Sequence, residues 1–360
     1  MGKTRGSVED RVTEALRLIA PGTTLREALD NIVRARTGAL LVFADEPAVQ
    51  PLISGGISIN VETAPMVLYE LAKMDGAILL DRNGTHILHA NVQLMPDPTI
   101  SSTETGTRHR TAERVAKQID ALVLSISAAR DVVSLYVDHR RYVLEEIRVI
   151  LTKANQALQT LEKYRSRLTQ VSTTLSALEF EDAVTLHDVL TVLQRAEMVL
   201  MIADEIEHYI TELGSEGRLI RLQLEELMVD VREDRRAVIA DYMPDDTGVS
   251  GEEIADILRT LKPDDLLALG RIGESLGYSW DGNPAEIHVS PRGYRMLRKI
   301  PRLPHAVISN LVARFGRLES VLSASKKELD AVEGVGPIRA HDIKEGFLRL
   351  RELNLLERYG

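Results

Sequence analysis

Over residues 1 to about 140 the apolar positions fall in short runs separated by Gly, Pro and Asn. Val8, Val12, Leu16 and Ile19 mark an opening amphipathic helix that ends at Pro21-Gly22, and Leu25 to Ala35 gives a second. Six strand-sized runs follow: Gly38–Ala44, Gly56–Ile59, Gly76–Leu80, His86–Val92, Leu122–Ile126 and Val132–Val137. They are rich in Val, Ile and Leu, and Asp81-Arg82-Asn83-Gly84 is a turn signal between two of them. A helix over Thr111–Ile119 separates the fourth run from the fifth. Strands interspersed with helices predict an α/β domain, a mixed sheet covered by helices.

The pattern changes at about Arg141. Leu144, Ile147, Leu151, Ala154, Leu158, Leu161, Tyr164, Leu168, Val171, Leu175 and Leu178 succeed one another at helical spacing, slipping once at Tyr164. A helix of roughly 40 residues would be about 60 Å long. A second helix over Thr185–Leu213 and a third from Arg218 to about Ala240 complete an all-α spine, suited to spacing and oligomerisation. Pro244-Asp245-Asp246-Thr247-Gly248 reads as a linker, and beyond it a helical unit repeats at an offset of 32 residues. Ile300-Pro301-Arg302-Leu303-Pro304 aligns with Val332-Glu333-Gly334-Val335-Gly336. The expected domains are 1–142, 143–290 and 291–360.

Composition narrows the function. The 360 residues contain no Cys, which removes disulfide scaffolds, Cys-ligated metal sites and thiol nucleophiles. No apolar run approaches a membrane span and no signal peptide is visible, so a cytoplasmic location without membrane contact is expected. The net charge is −10, yet residues 291–360 hold 14 Lys and Arg against 8 Asp and Glu. An acidic body with a basic tail suggests that the tail meets a polyanion. Chance variation among small helical domains would give the same figures.

The second copy of the repeat, Leu329-x-x-Val332-x-Gly334-Val335-Gly336-x-x-x-Ala340-x-x-Ile343, has the pattern of a helix–hairpin–helix. Glycines let its turn approach a phosphate, and the amides opening the next helix bind the anion. Gly334, Val335, Gly336, Arg339 and Lys344 are the candidate DNA-binding residues. Such contacts follow backbone shape rather than base sequence. The first copy, with Pro301 and Pro304, reads as degenerate. A structural hairpin or a protein-docking module would carry the same pattern.

Near the N-terminus there is no GxxxxGK[ST], HExxH or GxSxG. Lys73-Met74-Asp75-Gly76-Ala77 instead puts an acid and a glycine where the chain enters a buried strand. Glu104-Thr105-Gly106-Thr107-Arg108-His109-Arg110-Thr111 gathers a glycine, hydroxyls and basic side chains at a helix start. Those donors suit a triphosphate, and the carboxylate suits a divalent metal or an attacking hydroxyl. The pattern therefore reads as a nucleotide site for nucleotidyl transfer, or more plainly as a surface Arg cluster beside a capping Thr.

Asp75-Gly76-Ala77, the stretch Ala90-Asn91-Val92-Gln93-Leu94-Met95-Pro96-Asp97-Pro98-Thr99, and Gly106 to Arg114 resemble the diadenylate cyclase domain. The domain order resembles the bacterial DNA integrity scanning family over essentially the whole chain. The resemblance implies condensation of two ATP into cyclic di-AMP and two pyrophosphates, with Mg²⁺ or Mn²⁺ neutralising the phosphates. It implies Asp75 near the 3′-hydroxyl as a basic or metal-linked catalytic group, with Arg108 and Arg110 as further catalytic residues. Gly76 would admit the ribose and phosphates, and Leu94 would meet the adenine. Gly106, Thr107, Arg108, His109, Arg110 and Thr111 would hold the triphosphate. Ser127 and Arg130 are candidates for the second ATP, or simply a strand end with an exposed Arg. The family pattern further implies a homo-octamer, nucleoid association, and lowered synthesis when branched DNA is bound. A non-catalytic, ATP-sensing DNA-repair scaffold is the competing reading.

Overall fold

The computed structural model describes residues 8–128, 131–245 and 247–359, with side chains up to residue 353. The chain packs as two compact units, Met1–Gln156 with Ile206–Leu222, and Ala157–Glu205 with Gln223–Gly360.

The first unit is built on strands β1 (Ala39–Phe43), β2 (Ile53–Ser54), β3 (Ile57–Glu62), β4 (Ala77–Leu80), β5 (His86–Leu94), β6 (Leu122–Ser127), β7 (Val132–Val137) and β8 (Arg140–Val143). The sheet order is β2-β5-β4-β1-β6-β7-β8, and β3 also pairs with β5. Strand β1 runs parallel to β4 and antiparallel to β6, which makes the sheet mixed. All five β1 residues are buried, and they divide between the two faces by the alternation of a strand. Leu41 and Phe43 lie in one apolar layer with residues of α1 (Val8–Leu18), α2 (Thr24–Arg34) and α4 (Pro65–Leu71). Leu40 and Val42 lie in the other, with Val49 of the short helix α3 (Glu46–Val49) and Ala112, Val115 and Ala116 of α5 (Thr107–Gln118). The α/β reading of the sequence therefore holds.

Several elements escape the hydrophobic pattern. Strand β8 carries Arg140 and Arg141 because it is an edge strand, where charge replaces apolar alternation. Helices α3 and α4 are short and begin with Pro at the first turn rather than with a capping side chain. Helix α5 begins four residues earlier than the apolar positions suggest, because its first turn is Thr107 to Arg110.

Helices α6 (Ile147–Glu181), α7 (Leu186–Leu213), α8 (Arg218–Leu227) and α9 (Val231–Tyr242) form the long helical region. Ala154, Leu158, Leu161, Leu168 and Leu175 of the stripe along α6 are buried. The far end of α7 belongs to the first unit, where Tyr142 of β8 donates to Glu212 at 2.6 Å. The third expected helix is broken in two. Asp230 turns left-handed at φ 62, a conformation Asp tolerates, and Arg165 of α6 donates to the exposed carbonyls of Leu227 and Val229.

Among the described residues the remainder of the second unit holds eight α-helices, with one 3-10 turn at Pro284–Glu286: α10 (Gly251–Arg259), α11 (Pro263–Leu266), α12 (Leu269–Leu276), α13 (Tyr294–Arg298), α14 (His305–Phe315), α15 (Leu318–Ser323), α16 (Lys326–Asp330) and α17 (Gly336–Tyr359). The 32-residue repeat carries α13 onto α16 and α14 onto the start of α17, giving two helical hairpins around one core.

A buried polar cluster fastens α13 to the long helices. Asp241 of α9 accepts from the backbone N–H groups of Gly293, Tyr294 and Arg295 at 2.6–2.8 Å, filling the role of an N-cap. Arg295 in turn pairs with Glu179 of α6 and donates to Ser176 at 2.9 Å. Tyr242 donates to Glu179 at 2.8 Å. Burial, reinforced by nearby Glu179, pushes the Asp241 carboxyl up to about 7. A carboxyl raised above its unfolded value, about 3.9, contributes stability that is lost as pH rises toward 7. The thermal midpoint of this unit is therefore expected to fall between about pH 4 and pH 7, and Asp241→Asn to flatten that dependence. Calorimetry across the range checks it.

Candidate functional site

Strand register brings the N-terminal candidates to one edge of the sheet. Leu41 lies opposite Ile78, so counting back along these parallel strands sets Gly76 level with Ala39 and Asp75 level with Gly38. Ala39 lies opposite Ile126, which sets Ser127 level with Gly38 on the other side. Strand β5 runs the opposite way and ends at this edge with Leu94. Leu94, Asp75, Gly38 and Ser127 thus stand on neighbouring strands, spanning three strand spacings or about 14 Å.

Each residue has a local reason for its place. Gly76 has φ 94, and a Cβ there would sit 2.8 Å from the Val92 carbonyl oxygen. Only Gly lets the chain turn into β4 this close to β5, which is itself distorted where Asn91 takes φ 53. The backbone that approaches Gly76 is therefore that of β5. Asp75 is exposed beside it. The Leu94 side chain is buried in the apolar layer, and its main chain pairs with Ile53 of β2. Ser127 is half-buried at the end of β6, while Arg130 lies outside the described residues.

Helix α5 arrives at the same edge. Gly106 is its N-cap and offers no side-chain hydrogen bond, so the first-turn N–H groups carry no cap. Gly106 and Thr107 are exposed, and Thr111 is half-buried. A Cβ added at Gly38 would collide with the Arg108 guanidinium and lie 2.9 Å from its Cζ. Arg108 therefore reaches over the N-terminal end of β1, where it makes no hydrogen bond or ion pair among the described residues. His109 and Arg110 turn elsewhere. The His109 Nδ1 lies 3.0 Å from the Tyr136 hydroxyl on β7, which donates to Glu104 at 2.9 Å. Arg110 folds back onto the carbonyls of Glu104 and Thr105 at 3.3 and 3.2 Å. Glu113 further ties down the preceding loop by accepting from Ser102 and from the Thr103 backbone. Burial would raise its carboxyl, but bonds from Lys117 and Ser102 outweigh burial and hold it below the usual range.

Gly38, Glu104 and Tyr136 are the participants that residue patterns alone did not single out. A glycine immediately before the central strand is the signal for the first. The other two meet through hydrogen bonds between residues 32 apart in sequence.

In the second unit the α16–α17 turn has Gly334 at φ 83 and Gly336 at φ 64, both needing the freedom of Gly. Val335 is buried and anchors the turn in the hairpin core. Arg339 donates to the Gly334 carbonyl. Lys344 stands apart, half-buried, donating to the Leu322 carbonyl at 2.7 Å at the end of α15, and burial lowers its ammonium below the usual range. The first turn is less degenerate than its prolines suggest. Arg302 holds φ 63 at the repeat position of Gly334, and Pro304 caps α14 with its natural φ of −65°.

Gly38→Ala is expected to displace Arg108 and lower turnover at least about tenfold, since a misplacement of ~1 Å can cost about a hundredfold. The thermal midpoint should move little. Steady-state assays beside a melting curve check both.

Residues 26–141 match the family model of the DisA bacterial checkpoint controller nucleotide-binding region, and residues 144–284 match its linker region. The DNA integrity scanning protein DisA of Carboxydothermus hydrogenoformans is 53% identical over 344 residues, which are 96% of this chain and 98% of that protein. Its counterpart in Acidothermus cellulolyticus is 50% identical over 354 residues, 98% of this chain and 96% of that protein. A crystal structure of DacA from Staphylococcus aureus is 24% identical, covering 39% of this chain and 91% of its own, with a TM-score of 0.29. With an α/β nucleotide-binding region and a helical linker in this order, the chain belongs to the DNA integrity scanning protein DisA family and is a nucleotidyltransferase of the diadenylate cyclase type.

Proposed function

We propose that the chain condenses two ATP into cyclic di-AMP and two pyrophosphates at the Asp75 edge of the sheet, and that DNA held by the C-terminal hairpins lowers this synthesis. The observation that carries the reading is the meeting of an uncapped helix N-terminus, an unpaired Arg108 and Asp75 at one edge. Uncapped amides and a free guanidinium are donors for phosphate oxygens.

In the reaction, the 3′-hydroxyl oxygen of one ATP forms a bond to the α-phosphorus of the other. The bond from that phosphorus to the bridging oxygen breaks, and pyrophosphate leaves. Asp75 takes the hydroxyl proton as the bond forms. Arg108, with Thr107, Thr111 and the amides after Gly106, holds the triphosphate in line and opposes its charge, while His109 borders that seat from its bond to Tyr136 and Arg110 adds positive charge from its place on the Glu104 and Thr105 carbonyls. Gly76 keeps the Asp75 loop pressed on β5, Leu94 supports the adenine through its main chain, and Ser127 with Arg130 meets the second nucleotide.

No group of three or more His, Asp or Glu able to hold a metal ion occurs among the described residues. A lone carboxylate fits Mg²⁺ or Mn²⁺ carried chiefly by the substrate's phosphates, with Asp75 as the protein ligand. The ion supplies charge neutralisation at the phosphates.

One edge carries one set of donors, whereas closing the ring needs two, so two copies must face each other. The assembly in this reading is a homo-octamer. The DNA arm rests on the open Gly336 turn, Gly334, Val335, Arg339 and the basic excess of residues 291–360. Lys344 contributes to that field rather than through a direct bond. Branched DNA would be gripped by its phosphates, weakening with salt, at the nucleoid in the cytoplasm. The division into cyclase, spine and hairpin domains at 142 and 290 is a division of labour in this reading.

Asp75→Asn is expected to keep ATP binding and lose cyclic di-AMP, read by mass-resolved chromatography with either metal. Unchanged synthesis would overturn the role of Asp75, and intact ATP with the unaltered protein would favour the sensor reading. The double variant Gly334→Asp/Gly336→Asp should synthesise normally but no longer respond to a four-way junction; a preserved response sinks the DNA arm.

A further inference from the structure

We infer that Tyr136 and Glu104 are positioning residues for His109, fixing the ring's proton and orientation against the triphosphate. The inference rests on the reading of the α5 N-terminus as the triphosphate seat.

Tyr136 is 1% exposed on β7, in the apolar layer beneath α5. A buried phenol hydroxyl needs partners, and this one lies within hydrogen-bonding distance of His109 and Glu104. It owns a single hydrogen, and an ionised carboxylate only accepts, so that hydrogen goes to Glu104. The same oxygen must then accept from His109, which fixes a proton on Nδ1. Burial and the Glu104 bond together hold the phenol above its usual range, so it remains a donor throughout the working pH range.

Glu104 is itself held. Arg141 of β8 pairs with its carboxylate at 3.0 Å and also donates to Ser134 of β7 at 3.2 Å. Arg110 grips the Glu104 carbonyl, and the Glu104 amide donates to Ser102. The chain from His109 through Tyr136 and Glu104 to Arg141 therefore links the first turn of α5 to two strands. Of the three consecutive side chains Arg108, His109 and Arg110, only His109 is tied to the sheet through a buried hydroxyl. Packing alone would hold the helix; this chain sets the rotation of one ring and the identity of its protonated nitrogen.

The test compares Tyr136→Phe, Glu104→Gln, His109→Ala, Arg108→Ala and the double variant Tyr136→Phe/His109→Ala in the full-length protein, measuring kcat and KM for ATP. Tyr136→Phe keeps the ring and its packing and removes only the hydroxyl. It should lower kcat about tenfold with KM changed less than about twofold, while Glu104→Gln, which still accepts, retains most of the rate. In the His109→Ala background Tyr136→Phe should add no further loss, the non-additivity of residues acting as a unit. A wild-type kcat in Tyr136→Phe, or independent losses that multiply, would overturn the positioning role while leaving the triphosphate seat intact. Unchanged synthesis in both His109→Ala and Arg108→Ala would overturn the seat itself, and the inference with it.

Discussion

The N-terminal unit depends on the double burial of strand β1. Both faces of Ala39–Phe43 are covered, and both its edges are paired, with β4 parallel on one side and β6 antiparallel on the other. That combination sends the entry to β4, the entry to β1 and the exit of β6 to the same edge. Residues distant in the chain, such as Asp75 and Ser127, come to flank Gly38 there from its two sides. An all-parallel sheet would put the exit of β6 at the opposite edge.

What the sequence made legible follows the same physics. Strands β1 and β4 are continuous apolar runs and β6 and β7 are apolar runs interrupted only by small serines, because all four are largely buried, and their limits could be read within a residue or two. Strand β8 could not, since an edge strand with two arginines has no such pattern. The break between α8 and α9 was invisible because it is set by Arg165, some 60 residues earlier, taking the carbonyls of Leu227 and Val229. In the site, Asp75-Gly76 and the Arg108–Arg110 cluster were legible as local chemistry on a strand entry and a helix start. Tyr136 was hidden because its hydroxyl matters only once β7 lies beneath α5. Gly38 was hidden because its missing side chain is what makes room for Arg108.

The two hairpins show how one backbone geometry tolerates different residues. Gly334 takes a left-handed conformation at little cost, whereas Arg302 takes it at the same repeat position against a preference of about 1–2 kcal/mol. The shared core offsets that: Val307, Ile308, Leu311 and Val312 of α14 pack with Val332, Val335, Ala340 and Ile343 of the second hairpin. Asn310 of α14 also donates to the Glu333 carbonyl in the second turn at 3.0 Å. The hairpins are consequently one folded object and not two beads.

The Asp241 cap has a consequence for how modular the chain is. Helix α13 is only five residues long, too short to hold itself together, and it depends on a carboxylate supplied by α9. The dependence is mutual, since Asp241 and Glu179 are almost fully buried and find their donors at Gly293, Tyr294 and Arg295. Cutting the chain at residue 290 would take from Asp241 all three of its N–H donors and from Glu179 the Arg295 guanidinium, leaving Glu179 the Tyr242 hydroxyl, and would open a packed face of α6 and α9 to water. The hairpins are thus not a detachable cassette. A shortened protein would carry a damaged helical region as well as lack its tail, and a cleaner excision would replace Asp241 and Glu179 with apolar residues at the same time.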